Sequence, residues 1–203
     1  CTMLTGEERI YEENSRIISS TVEMLDIDQK YDVAVIDEAQ MIADPDRGHS
    51  WTRAILGVQA PEVHVCMSPA AEKAVIHLIS LCGDTCETRR YERKTKLVCE
   101  DEAFRFPEDV QEGDALIVFT KRAVLDIAGR LERMGVRASV IYGSLPPEIR
   151  RRQIRMFSGH ETKVVVATDA IGMGLNLPVK RIVFVHTSKF DGKNTRPLLA
   201  AEI

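Results

Sequence analysis

The sequence lacks any apolar run near the roughly 18 residues that a membrane helix needs, and its N-terminus lacks the basic-then-apolar pattern of a secretory signal. No membrane partner is expected. There is also no methionine at position 1: the chain opens Cys1-Thr2-Met3-Leu4, inside what reads as a strand, and both ends read as cuts. Cysteine is scarce. Cys1, Cys66, Cys82, Cys86 and Cys99 are an odd number without a regular frame, which fits a reducing compartment better than a disulfide scaffold. The Cys82-x-x-x-Cys86 pair would bind a metal only with two further ligands, and no second pair or His-x-His cluster supplies them. Uniform positive charge is missing too. Lys and Arg number 27 against 31 Asp and Glu, for a net charge of -4 and a pI of about 5.8, which argues against a protein that coats nucleic acid.

The remaining composition is ordinary for a soluble globular chain: 44% hydrophobic and 29% charged residues exclude collagen, long disorder and a coiled coil. At about 150 residues per domain, the 203 residues allow one large or two small cores. Charge is unevenly spread. Residues 1–96 hold 11 Lys and Arg against 17 Asp and Glu, whereas residues 97–203 hold 16 against 14, so two parts with different electrostatic tasks are expected.

The hydrophobic pattern alternates strand with helix. In the first part, residues 15–25 predict a short helix or a strand followed by helix. Val33-Ala34-Val35-Ile36 predicts a buried parallel strand stopped by Asp37-Glu38. Residues 50–57 predict an amphipathic helix, 62–67 a strand, and Ser68-Pro69 starts a helix through Leu81. Residues 87–107 are densely charged with no long apolar face, and mark the domain boundary. A second alternation comes after it: strand 115–119, helix 123–134, strand 138–142, helix 148–157, and strands 163–167 and 181–185. Strand and helix alternating over short turns predicts right-handed βαβ units and an α/β fold with parallel sheets.

Two segments point to chemistry. A buried parallel strand delivers its last residues to the sheet edge where ligands of open α/β folds bind. There Asp37 is suited to hold Mg²⁺ through water while Glu38 polarises an attacking water, the arrangement used for nucleoside triphosphate hydrolysis. The plainer alternative is a strand followed by an acidic helix cap. Further on, Val164-Val165-Val166-Ala167-Thr168-Asp169-Ala170-Ile171-Gly172-Met173-Gly174 runs a strand into a polar turn with two glycines. Such a turn lets backbone approach a phosphate or ribose, and its plainer alternative is an ordinary strand-to-helix turn.

Together these segments resemble the superfamily-two helicases. Asp37-Glu38-Ala39-Gln40 is similar to motif II, Ala167 through Gly174 to motif V, Ile117-Val118-Phe119-Thr120-Lys121 to motif IV, and Thr5-Gly6-Glu7-Glu8-Arg9 to motif Ib. Tyr142-Gly143-Ser144-Leu145, with Arg150 and Phe157, resembles a further segment of that superfamily. Within it, three runs resemble the branch of the mitochondrial degradosome RNA helicase and its bacterial relatives. They are Met41-Ile42-x-Asp44-Pro45-x-Arg47-Gly48-x-x-Trp51-Thr52-Arg53-Ala54, Tyr142 through Pro147, and Lys189-Phe190-Asp191-Gly192.

The resemblance implies two RecA-like parallel-sheet domains, both incomplete: a partial ATP-binding domain over 1–96 and a partial second helicase domain over 97–203. It implies ATP and Mg²⁺ as cofactors, RNA as partner, an exoribonuclease as a second partner, and a bacterial cytoplasm or a mitochondrial matrix. Asp37 becomes a magnesium-linked carboxylate, Glu38 the general base and Gln40 a coupling residue. Thr5, Gly6, Thr120, Arg150 and Thr168 would contact the strand backbone, a mode that reads shape rather than base sequence. Gly172 and Gly174 would lie near the nucleotide. Plainer readings stand beside these: Thr120 as a helix N-cap, Arg150 to Arg152 as a solvated helix face, Trp51 as core between helix and sheet, and His64 and His77 as core histidines. A DNA-directed translocase of the same superfamily, or a non-catalytic module that binds RNA or a partner nuclease, also remains open.

The departures are specific. Where the family's motif III has Ser-Ala-Thr, this chain has Ser68-Pro69-Ala70, so the usual threonine link is not visible. No Gly-x-x-x-x-Gly-Lys-Ser/Thr occurs, hence no loop to cradle phosphates and no lysine for them. The arginine-rich motif VI is absent as well, and its finger contributes on the order of a thousandfold in rate. These 203 residues alone should therefore hydrolyse ATP at background, with or without RNA, in a phosphate-release assay. Turnover at a helicase-like rate that Glu38→Gln abolished would contradict this.

Overall fold

The structure is a computed structural model that describes residues 1–92, 95–172 and 175–202. Its backbone contacts separate two compact units, Cys1–Thr95 and Lys96–Ile203.

The first unit contains two small sheets. Strands β1 (Thr2–Leu4), β2 (Arg9–Ile10) and β3 (Ile18–Ser20) lie in the order β2-β1-β3, with β2 antiparallel and β3 parallel to β1. Residues 15–25 thus form a strand followed by a 3-10 turn, Val22–Met24. Strands β4 (Val33–Ile36) and β5 (Glu62–Val65) pair in parallel, Val33 opposite Glu62 and Ile36 opposite Val65. Parallel strands need a crossover connection, here a 3-10 turn, Ala39–Ala43, followed by helix α1 (Gly48–Gly57). Helix α2 (Glu72–Leu81) follows β5 after a short turn at Pro69–Ala71.

Trp51, Ala54 and Ile55 of α1 recur at the i, i+3, i+4 spacing of one helical face. They pack with Ile36, Ala39 and Val75 into the core of this unit. Gly48 starts α1 so close to the preceding turn that a Cβ there would stand 2.4 Å from the Ile42 carbonyl oxygen. Any larger residue would push the helix off the turn.

Three expectations need correction here. Strand β4 is parallel but buried on one face only: Ile36 is buried, whereas Val33 and Val35 are exposed. Side chains alternate along a strand, so His64, the register partner of Val35, shares that uncovered face and is exposed, its ring 2.7 Å from the Glu62 carboxylate. His77 is exposed as well, because it lies two residues beyond the buried Val75 on α2, across the helix. An apolar neighbourhood in sequence marked these histidines as core, but each falls on the outer face of its element.

The second unit holds one parallel sheet of β6 (Asp114–Ile117), β7 (Ala138–Ile141), β8 (Val164–Ala167) and β9 (Arg181–Phe184), in the order β7-β8-β6-β9. Helix α3 (Lys121–Arg133) connects β6 to β7, and α4 (Pro147–Ser158) connects β7 to β8. Strands β6 and β8 are buried at every position, as expected of parallel strands covered on both sides. Leu116, Val164 and Val166 pack with Val124, Ile127 and Leu131 of α3 on one face. Ala115, Ile117, Val165 and Ala167 pack with Phe157 of α4 on the other. A hairpin of β10 (Ser188–Phe190) and β11 (Thr195–Pro197) follows β9.

The charged stretch 87–107 is not solely a connector. Phe104 and Phe106 pack against the α3 side of the second core, and the Arg130 guanidinium lies 4.5 Å from the centre of the Phe106 ring. Beside them Asp114, 1% exposed, receives a two-pronged ion pair from Arg181, with Nε to Oδ1 at 2.9 Å and Nη2 to Oδ2 at 2.8 Å. The same guanidinium donates to the Asp109 carbonyl at 2.7 Å and meets the Glu100 carboxylate at 3.1 Å. The Asp114 bonds foremost hold Arg181 above its ordinary range, against the opposing effect of burial. Removing one partner of a buried pair leaves the other charge uncompensated. Arg181→Met should therefore destabilise the second unit by about 3 kcal/mol or more in urea unfolding, and adding Asp114→Asn should recover part of the loss.

Candidate functional site

In each unit the parallel strands deliver their C-terminal ends to one edge, and most of the residues singled out from the sequence gather there. At the end of β4, the Asp37 Oδ1 accepts the Glu38 N–H at 2.8 Å. The Asp37 carbonyl accepts the Trp51 indole N–H at 2.9 Å. Glu38 itself takes the left-handed backbone conformation, φ 54° and ψ 38°, which an L-residue adopts only under constraint. Its carboxylate accepts a hydrogen bond from the Gln40 side-chain amide. The amide's oxygen in turn accepts the backbone N–H of Ser68, just beyond β5, at 3.1 Å. Ala39 N–H donates to the Cys66 carbonyl at 2.9 Å, and Cys66 N–H to the Ile36 carbonyl at 2.8 Å, extending the β4–β5 ladder under the acids.

Asp37 and Glu38 are both exposed. Carboxylate oxygens suit a hard cation. Among the described residues no three His, Cys, Asp or Glu side chains cluster as a metal cage, so a Mg²⁺ here would take most of its ligands from water and phosphate oxygens, the usual habit of that ion.

Thr5 and Gly6 lie in the β1–β2 turn, on the other sheet. The Thr5 hydroxyl accepts the Glu8 N–H at 2.8 Å and donates to the Glu8 carbonyl at 3.1 Å, so it closes its own turn. Gly6 is exposed, and nothing within 4 Å would meet a side chain there.

In the second unit, Thr168 N–H donates to the Ile141 carbonyl at 3.0 Å, and its hydroxyl accepts the Ala170 N–H at 3.3 Å. Thr120 is an N-cap: its hydroxyl accepts the Ala123 N–H at 3.1 Å at the start of α3. Arg150 turns inward and braces the loop after β7, donating to the Gly143 carbonyl at 2.9 Å and to that of Leu145 at 3.3 Å. Gly172 N–H closes a turn on the Asp169 carbonyl at 2.9 Å, where a Cβ would stand only 3.2 Å from that oxygen. Gly174 lies outside the described residues.

Three side chains make contacts that the sequence does not announce. Trp51 has its ring in the core as expected, but its N–H on Asp37 is not visible in the sequence. Neither is the partner of Gln40, because a backbone N–H carries no residue signature. Lys189 Nζ lies 3.7 Å from Asp169 and 2.7 Å from Glu202. Arg196 grips Glu202 with two bonds, of 2.8 and 2.9 Å, and the Leu199 N–H adds a third at 2.8 Å. The Arg196 bonds foremost, then Leu199 and Lys189, hold the Glu202 carboxyl far below the usual carboxylate range.

Residues 1–91 match the model of the DEXQ-box helicase domain of Suv3, and residues 95–196 that of the helicase conserved C-terminal domain. The chain is 40% identical over 210 residues to the mitochondrial ATP-dependent RNA helicase SUV3 of Saccharomyces cerevisiae, covering 100% of this chain and 28% of that protein. It is 44% identical over 190 residues to the mitochondrial SUV3 homolog of Caenorhabditis elegans, covering 91% of this chain and 26% of that protein. The chain thus spans little more than a quarter of these relatives. Among solved structures it is similar to S. cerevisiae Dbp5 bound to RNA and ADP BeF3, with TM-score 0.64 and 19% identity over 94% of this chain and 56% of that one. That likeness makes the fold RecA-like.

The ion cluster at Glu202 has a defined pH behaviour. A carboxyl whose folded pKa is lowered contributes stability above its unfolded pKa and loses it only as pH falls through the folded value. For Glu202 that value lies far below the ordinary range; for Asp191, which caps the hairpin turn by accepting the Lys193 and Asn194 N–H groups, it is also lowered. Exchange protection of those two amides should hold from neutral pH down to about 4.5. Glu202→Gln should lower it about two- to fivefold at pH 7, as read by amide hydrogen exchange.

Proposed function

Since the chain belongs to the helicase family whose DEXQ-box and C-terminal domain models it matches, we propose that its two units are motor domains of an ATP-dependent RNA helicase. ATP hydrolysis drives translocation on RNA and separation of duplexes. Asp37 would hold Mg²⁺, which would supply positive charge to the phosphates, and Glu38 takes the proton of the water that attacks the γ-phosphate. Little covalent chemistry falls to the protein in phosphoryl transfer, so placing the metal and the water is most of the task.

Gln40 carries the state of the acid pair to the end of β5. Thr5, Gly6, Thr120 and Thr168 contact the strand backbone, Arg150 acts there through the Gly143–Leu145 loop it braces, and Gly172 approaches the nucleotide. The observation that supports this reading best is the Gln40 amide, which holds Glu38 with one end and the Ser68 backbone with the other. Relatives named as mitochondrial favour the mitochondrial matrix over a bacterial cytoplasm. An exoribonuclease that consumes the unwound strand fits as partner.

The test is a hybrid in which these 203 residues replace the matching segment of S. cerevisiae SUV3, whose remaining sequence completes the protein. The hybrid should hydrolyse ATP in response to RNA and unwind a tailed RNA duplex. Glu38→Gln should cut turnover by about a hundredfold or more, the usual loss with a general base. A hybrid that responds to DNA strands but not to RNA would overturn the reading.

A further inference from the structure

Among the described residues, three non-glycine residues have positive φ: Asn14, Glu38 and His160. Asparagine and histidine are among the side chains that visit this region most readily. Glutamate is not, so something outside residue 38 must hold it there. Both sides of the peptide that joins Asp37 to Glu38 are pinned. Its N–H is bound by the Asp37 carboxylate at 2.8 Å, and its carbonyl by the Trp51 indole at 2.9 Å. The next peptide is held by Ala39 N–H on the Cys66 carbonyl at 2.9 Å; of the two holders of the Asp37–Glu38 peptide, Trp51 is the buried one, 6% exposed in the core with Ile36 and Ala54.

We infer that Trp51 is a positioning residue for the Asp37–Glu38 pair, and that Arg47 ties it to Glu23. Arg47 stacks its guanidinium 5.3 Å from the centre of the indole and binds Glu23 through Nε at 3.0 Å and Nη2 at 2.8 Å. Glu23 sits in the 3-10 turn directly after β3. The preceding Thr21 donates its N–H to the Leu4 carbonyl at 3.0 Å, next to the Thr5–Gly6 turn. A continuous series of contacts therefore runs from that turn through Thr21, Glu23, Arg47 and Trp51 to the Asp37 carbonyl.

The functional consequence rests on the helicase reading: a strand engaged at Thr5 and Gly6 would reach the general base along this path. The positioning itself does not rest on it.

The test uses the 203-residue chain labelled with ¹⁵N. A positive φ brings a residue's amide and α protons close together, giving a strong intraresidue cross-peak that negative φ does not. In Trp51→Phe, which keeps a ring and removes the N–H, Glu38 should lose this signature while Asn14 and His160 keep theirs. A folded Trp51→Phe with the Glu38 cross-peak unchanged overturns the inference, because loss of packing alone would lower stability without changing that angle. Should Trp51→Phe not fold, Arg47→Met and Glu23→Gln leave the core intact. The chain has a single tryptophan, hence a single indole N–H peak. Movement of that peak together with the Glu38 amide supports the inference, and movement of the indole peak alone overturns it. A hybrid with no response to RNA would remove the helicase reading and leave this one standing. An unchanged Glu38 would do the reverse.

Discussion

Parallel pairing leaves no freedom in where a strand's last residue goes. The four strands of the second unit and the β4–β5 pair of the first each send all their C-terminal ends to one side. The turn after each strand is then brought beside the turn after its neighbour, however distant in sequence. Asp37 and Ser68 are 31 positions apart, yet the β4–β5 register places the turn after Ile36 against the turn after Val65. In the second unit the same constraint places Thr168 beside Ile141, and Val118 beside Ala167. The polar groups at these edges thus depend on the hydrophobic register behind them. A slip of one residue would turn Ile36 outward and Val35 inward, and would carry the acids with it.

The left-handed Glu38 costs about 1–2 kcal/mol. Against this stand the indole bond to Asp37, the Asp37–Glu38 bond and the Gln40 bond. At roughly 1 kcal/mol each, and somewhat more where a carboxylate is the acceptor, they together outweigh the strain. Each bond lost from Trp51 or Gln40 removes a comparable part of that compensation. Such an arrangement makes the acid pair sensitive to movement of its neighbours.

The sequence showed the fold of the second unit well because its signals agree with one another. Strands such as Val164–Ala167 are uniformly apolar and bounded by turn residues, and helix α3 has a threonine cap and an apolar face at helical spacing. In the first unit the residue types were equally clear, but their faces were not. Val33, Val35 and His64 look like core in a linear reading, and only the register shows that they share the uncovered face. The candidate acids were legible because a carboxylate at a strand end is conspicuous. Their holders were not. Trp51 reads as packing from its ring, and nothing in the letters of Ser68 announces that its backbone N–H will meet Gln40. Likewise Phe104 and Phe106, set among charged residues, gave no sign that each would cover part of the second core.

The departure at Ser68-Pro69-Ala70 bears on how the first unit could transmit its state. A link made by a threonine hydroxyl depends on that side chain and is lost when another residue stands there. The link seen here is between the Gln40 amide oxygen and a main-chain N–H, so any residue but proline at position 68 can supply it. Proline instead stands at 69, opening the 3-10 turn that leads to α2, where its missing N–H costs nothing and its ring stiffens the turn that presents the Ser68 amide. The Gln40 amide is two-ended: it accepts the Ser68 N–H beyond β5 while donating to Glu38. A carboxylate in its place could accept but not donate, and would face Glu38 with like charge. Glutamine fits both partners at once, which accounts physically for this residue at the fourth position of Asp37-Glu38-Ala39-Gln40 when the threonine link is absent.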